Sequence, residues 1–149
     1  MKKTKTKIAI GSDHAGFYLK EFLKKSLSSQ YIIIDIGTKK YKKVDYPDIA
    51  KQVVNLILNK KANTGILICG TGIGMCITAN RSRNIRAALC YNEYTASMAR
   101  KHNDANILCL SGRILKEESA LSITNVFLKE KFDGGRHKRR LKKIEGLKC

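Results

Sequence analysis

Short apolar runs alternate along the chain with longer stretches whose apolar residues recur every three or four positions. The first pattern predicts buried strands, the second helices with one apolar face. The predicted strands are Lys7–Gly11, Tyr31–Ile36, Gly65–Cys69, Ile85–Cys90 and Asn106–Leu110. Tyr31–Ile36 is rich in β-branched residues and reads as a buried strand. The first predicted helix spans His14–Ser28, with Phe17, Leu19, Phe22, Leu23 and Leu27 near helical spacing and basic residues between them. Tyr46–Leu58 places Ile49, Val53, Val54, Ile57 and Leu58 on one helix face. Further helices are expected from Gly74 to Asn80, Asn92 to Lys101, Lys116 to Lys131 and Lys138 to Leu147.

Strands alternating with helices predict βαβ units and a parallel sheet. The expected fold is α/β. It is a single Rossmann-like domain over residues 1–149, with a five-stranded parallel sheet in a three-layer α/β/α arrangement and a basic tail over residues 1–6. Open sheets of this kind bind ligands beyond the carboxyl ends of their strands. That rule selects Ser12-Asp13-His14, Gly37-Thr38, Gly70–Gly74, Tyr91-Asn92 and Ser111-Gly112-Arg113 before any motif is considered.

Length and composition narrow the function classes. A chain of 149 residues, 43% apolar, can bury a sizeable core without disulfide staples. No apolar run approaches the roughly 20 residues of a membrane helix. Ile8–Ile10 is cut off at once by Gly11, Ser12, Asp13 and His14, so the basic start lacks the apolar stretch of a signal peptide. The expectation is a cytoplasmic protein. Its five cysteines include no C-x-x-C pair, so free thiols are expected, with neither a zinc site nor a disulfide framework. Cys76, Cys90 and Cys109 are expected to pack in the core, and Cys149 to be exposed.

The net charge of +18 is concentrated at the ends. Residues 1–7 hold four lysines and no acid, and residues 136–149 hold seven basic residues and one acid. Lys39, Lys40, Lys42 and Lys43 form a third cluster. A solvated basic surface accounts for this, and a local cationic site could steer small anionic substrates. A non-specific RNA-binding protein is the reading from a different function class. The 7% aromatic content and the want of aromatics among the basic runs weigh against it, since single strands need stacking platforms.

The most informative segment is Ile66–Gly74, a buried strand that runs into Gly70-Thr71-Gly72-Ile73-Gly74 and then a helix. Glycines let the backbone approach a ligand, and the helix start offers free N–H groups to an anion. The spacing is neither a dinucleotide fingerprint nor a P-loop. Cys69, at the strand end, is either a buried packing residue or a thiol activated by the helix start. Asp13 can cap the next helix. His14 and His102 are histidines at element ends, where general acid–base chemistry and simple helix termination are both open. Arg136 and Arg140 share a helix face and could grip a phosphate.

Five stretches together resemble the ribose-5-phosphate isomerase B family, within the wider group that includes the galactose-6-phosphate isomerase subunits. They are Ile10–Phe17, Asp45-Tyr46-Pro47, Cys69–Gly74, Arg100–Asn106 and Gly134–His137, in order across nearly the whole chain. The resemblance implies interconversion of ribose 5-phosphate and ribulose 5-phosphate in the pentose phosphate pathway, with no metal or organic cofactor. It implies Cys69 as the base between C2 and C1. The amides of Gly70, Gly72, Ile73 and Gly74 would hold the enediolate oxygen, and Thr71 would assist proton transfer. His102 would open the furanose ring, with Asp13 at the ring oxygen. His14, Arg113, Arg136 and Arg140 would bind phosphate, and Tyr46 and Asn103 would line the sugar. It also implies a homodimer, or a tetramer built from it, with sites shared between subunits and His102, Asn103 and Arg113 donated across the interface. One branch of the family carries a glutamate base just after the third glycine; here that position is Met75. Allose 6-phosphate and galactose 6-phosphate are the alternative substrates within the same chemistry.

Overall fold

The computed structural model describes residues 5–147. Its strands are β1 (Lys7–Ser12), β2 (Ile32–Gly37), β3 (Thr64–Cys69), β4 (Ala87–Leu89) and β5 (Ile107–Ser111). Its helices are α1 (Phe17–Leu27), α2 (Tyr46–Leu58), α3 (Ile73–Ala79), α4 (Glu93–Lys101), α5 (Glu117–Lys129) and α6 (Arg136–Glu145). All strand pairs are parallel, in the order β2-β1-β3-β5-β4. The result is the expected three-layer α/β/α sheet fold.

Period-two alternation in the central strands sorts side chains onto the two faces. Ile8, Ile10, Ile66, Ile68, Leu108 and Leu110 meet α1, α4 and α5. Ala9, Leu67, Cys69, Ile107 and Cys109 meet α2 and α3. Continuous apolar runs in β1, β3 and β5 are what a strand covered on both faces requires. Each fully buried Ile or Leu contributes roughly 1.5–3 kcal/mol of hydrophobic stabilisation.

Four local departures from the sequence expectation have physical causes. The first helix opens as a 3₁₀ turn over His14–Gly16, because Asp13 Oδ1 accepts from the Ala15 and Gly16 amides at 2.9 and 3.1 Å. Tyr31–Ile36 was expected to be fully buried, but β2 is an edge strand and its residues are half-buried or exposed. The fourth strand shortens to Ala87–Leu89, being the opposite edge. Lys5 and Thr6, expected in the basic tail, are tied down: Lys5 Nζ donates to Ser29 O, and Thr6 O accepts from the Ile32 amide. The remainder of that tail, and Cys149, lie outside the described residues.

An ion-pair network supports the β1–β2 edge. Lys20 has a fully buried side chain, donates to Asp35 Oδ1 at 2.7 Å and to Thr38 O at 3.1 Å, and sits 3.2 Å from Glu21. Lys24 bonds both Glu21 and Asp35. Burial pushes the Asp35 carboxyl upward, but hydrogen bonds from Lys20 and Lys24 outweigh it, and the net displacement is downward.

Candidate functional site

The sheet order reverses between β1 and β3, and a cavity of about 450 Å³ lies at this end of the sheet. This is where an open α/β sheet leaves a crevice. Asp13, Tyr46, Cys69, Gly70, Thr71, Ile73, Gly74 and Arg113 line it.

Local sequence explains the loop's shape. β3 ends at Cys69, whose carbonyl accepts from the Gly112 amide at 2.8 Å. Gly70 O accepts from the Ser111 hydroxyl at 2.6 Å and from the Arg113 amide at 3.2 Å, so the loop after β5 buttresses the loop after β3. Gly72 adopts φ +83, a left-handed conformation that glycine takes without penalty. That twist turns its amide onto Cys69 Sγ, at 3.2 Å. The Ile73 amide donates to Thr71 Oγ1, and Tyr91 Oη donates to Thr71 O. Gly74 is where Tyr46 approaches most closely: a Cβ there would lie 2.5 Å from the tyrosine ring.

α3 has only seven residues, so its macrodipole is weak. Any hold on an anion comes from individual amides. Those of Gly74 and Met75, in its first turn, have no intrahelical acceptor. Cys69 is 4% exposed. Met75 is fully buried and offers no proton-accepting group at the position of the alternative glutamate base.

His14 follows the capping Asp13. Its Nδ1 is buried without a hydrogen-bond partner, and its ring lies edge-on to Tyr41 at 6.3 Å. Ser12 Oγ and Thr38 Oγ1, at the ends of β1 and β2, are also buried without partners. Tyr41 stands inside the Lys39–Lys43 cluster and stacks on Tyr18, so the expectation that no aromatic interrupts a basic run fails at this one loop.

Four sequence-selected residues are elsewhere. His102 is the C-cap of α4, Asn103 lines a second cavity of about 460 Å³ beside β4, and Arg136 and Arg140 stand exposed on α6. The topology forbids their meeting Cys69 in one chain. The α4 end leads into the amino end of β5, where Asn106 O accepts from the Gly65 amide. Cys69 pairs with Ser111 four residues further on, about 13 Å along the sheet. Arg113, by contrast, was expected to come from across an interface, yet it lies over Gly70 in the same chain, because it follows β5 directly.

His102 and His137 stack with ring centroids 4.1 Å apart. Burial first, and then the neighbouring His102, Arg136 and Arg140, hold His137 below the usual imidazole range, with Asp133 pulling the other way.

Sequence reasoning overlooked one thiol. Cys76 was expected to pack in the core. It is half-buried, and its pKa is lowered to about 7, chiefly by hydrogen bonding with Cys109 and, against the effect of burial, by the Leu89 backbone and Asn80. Burial pushes Cys90 up to about 11, and Cys109 is raised by Cys76 and by burial. Cys69, Cys76, Cys90 and Cys109 are all free thiols. Among the described residues no helix is long and apolar enough to cross a membrane.

Known proteins share this fold. The chain is similar to a ribose 5-phosphate isomerase of Thermotoga maritima in its crystal structure, with a TM-score of 0.94 and 52% identity, covering 97% of this chain and 100% of that one. It is 39% identical over 142 residues to ribose-5-phosphate isomerase B of Escherichia coli, covering 95% of each chain. It is 52% identical over 143 residues to a Rickettsia bellii protein that is itself assigned as a sugar phosphate isomerase only by inference, covering 93% and 96%. The family profile Ribose/Galactose Isomerase matches residues 8–144. With the profile spanning nearly the whole chain, the chain belongs to the Ribose/Galactose Isomerase family.

Proposed function

We propose that this protein interconverts ribose 5-phosphate and ribulose 5-phosphate, with Cys69 as the base. The observation that carries the reading is a sulfur lining a sugar-sized cavity and already bonded by the Gly72 amide. A thiolate is the basic form of cysteine, and a backbone donor is the contact it needs. On the open-chain aldose the thiolate takes the proton from C2, leaving an enediolate. The proton returns to C1 as the O2 hydroxyl proton passes to O1, and the ketose forms with no net gain or loss. Thr71, on the cavity wall, would relay the oxygen-bound proton. Loop amides supply the donors for the developing oxyanion.

A phosphate at one end of the sugar needs cations, and among the described residues lining this cavity Arg113 is the one cation. The missing groups point to a second copy. We infer a homodimer in which Asp13, Tyr46, Cys69–Gly74 and Arg113 of one subunit face His102, Asn103, Arg136 and Arg140 of the other. Ile73 and Ile77, 48% and 63% exposed beside the cavity, are the apolar surface such a contact would cover. His102 would then open the furanose ring. Asp13 has one carboxylate oxygen committed to its two amides, which leaves the other for the hydroxyls of the sugar.

The test is conversion of ribose 5-phosphate by the purified protein in EDTA, beside Cys69→Ser. The expected result is turnover by the wild type and a loss of at least 100-fold in the variant, the low end for a general base. Equal turnover by both removes Cys69 as the base. The family also embraces galactose isomerases, so allose and galactose 6-phosphates belong in the same assay. Higher kcat/KM on either would reassign the substrate while keeping the chemistry.

A further inference from the structure

We propose that His102, Asp133 and His137 form a binding site for a borderline divalent metal ion of the Zn²⁺ class, and that its occupation switches the protein off by engaging His102. The ligand-capable atoms of these three residues all lie within 4.8 Å of one another. They come from three separate stretches: the cap of α4, the loop after α5 and the first turn of α6.

The fold holds them in place. Asp133 donates its amide to Lys101 O at 3.0 Å, which pins the loop to the residue before His102. Gly134 and Gly135 follow with φ +68 and +55, a reversal that sends the chain back over His102. His137 is 5% exposed and stacks on His102 with 11° between the ring planes.

The donor set selects the ion. Two imidazoles and a carboxylate match three-ligand zinc sites, which keep a fourth position for water. Calcium and magnesium prefer all-oxygen shells, and Cu(I) prefers sulfur. Tetrahedral coordination at about 2.0–2.1 Å places ligand atoms roughly 3.3 Å apart, so small side-chain rotations suffice to close the group. Lys101, Arg136 and Arg140 stand near the site and oppose a cation, which sets the expected affinity in the micromolar range rather than the nanomolar.

Metal binding is independent of the proposed activity, whereas the switching effect rests on the isomerase reading. A metal on His102 withdraws the imidazole nitrogen needed for ring opening. The ion acts as an inhibitor and takes no part in the reaction.

The experiment titrates metal-free protein with Co²⁺ and follows the visible d–d absorption of a four-coordinate site. Zn²⁺ competition and Zn²⁺ inhibition are measured alongside. The expected result is one saturating equivalent, displaced by Zn²⁺. Asp133→Asn, an exposed change that spares the fold, and His137→Asn should each weaken binding by at least ~10-fold. Both variants should retain turnover in EDTA and resist Zn²⁺. No saturable band by about 1 mM Co²⁺ overturns the proposal. So does equal affinity in the wild type and both variants, which would place the ion outside this group. Variant-sensitive Co²⁺ binding in a protein that turns over no sugar phosphate would uphold the metal site and refute the isomerase reading instead.

Discussion

The three glycines of the Cys69 loop should respond differently to alanine, because each Cβ would meet a different obstacle. At Gly72 the new methyl lies 2.5 Å from Leu89 Cδ1 and 3.0 Å from the Leu110 backbone, at φ +83. The left-handed conformation costs an L-residue about 1–2 kcal/mol. Overpacking against backbone adds about 1–3 kcal/mol. Loss of chain entropy in the unfolded state returns about 0.4–1 kcal/mol. The net is a destabilisation of about 1–4.5 kcal/mol, or roughly 3–15 °C in Tm for a domain of this size. Gly74→Ala gains about 1 kcal/mol of helix propensity, and its clash falls on Tyr46, which is 39% exposed and can swing away. Its Tm should barely move while kcat/KM falls, because Tyr46 leaves the cavity wall. Gly70→Ala meets only the far end of Arg113, at 3.2 Å, and should cost little stability with a modest rise in KM. Thermal melts and steady-state kinetics on the three variants test the set. A Gly72→Ala protein as stable as wild type, or Gly70→Ala as the least stable of the three, would refute the reasoning.

Mixing Cys69→Ser with His102→Asn tests the proposed shared site: in the proposed dimer half the pairs would be mixed, each with one intact site of two, restoring about a quarter of wild-type activity per protein. No recovery on proven subunit exchange would refute the shared site. Iodoacetamide should label Cys76 first, with a rate that rises through pH 7 as the thiol near that value ionises, while Cys90 and Cys109 stay unlabelled in the native state. Mass mapping that finds Cys90 first would contradict that order. Asp35→Asn should destabilise by about 3 kcal/mol near pH 7, since it strips the buried Lys20 of its carboxylate. Asp35 is depressed in the folded state, so its contribution is present above the unfolded carboxyl pKa and fades as pH falls through the folded one. Urea midpoints of wild type and variant should therefore converge at low pH; a gap as wide at pH 2 as at pH 7 would sink the assignment.

The alternation of apolar runs and helical periodicity determined the element order, because burial on both sheet faces leaves continuous apolar strands in β1, β3 and β5. It also located Asp13, Cys69–Gly74 and Arg113, because parallel topology collects strand ends at one edge. Local signals mark elements, and they are blind to which elements end up side by side. Lys20 read as one of the basic residues between apolar positions of a helix, and only the packing of α1 against β2 brings it to Asp35. The one hint was a charge inside an isoleucine run, Ile34-Asp35-Ile36. Cys76 looked like packing because its acidity comes from Cys109, thirty-three positions away on β5. His102, Arg136 and Arg140 were singled out by the sequence as candidates. Their separation from Cys69 was not legible: α4 delivers His102 to the amino end of β5, and α6 packs against His102 there. The stacking of His102 on His137 depends in turn on two left-handed glycines and one amide bond from Asp133, contacts that exist only once the chain has folded back on itself.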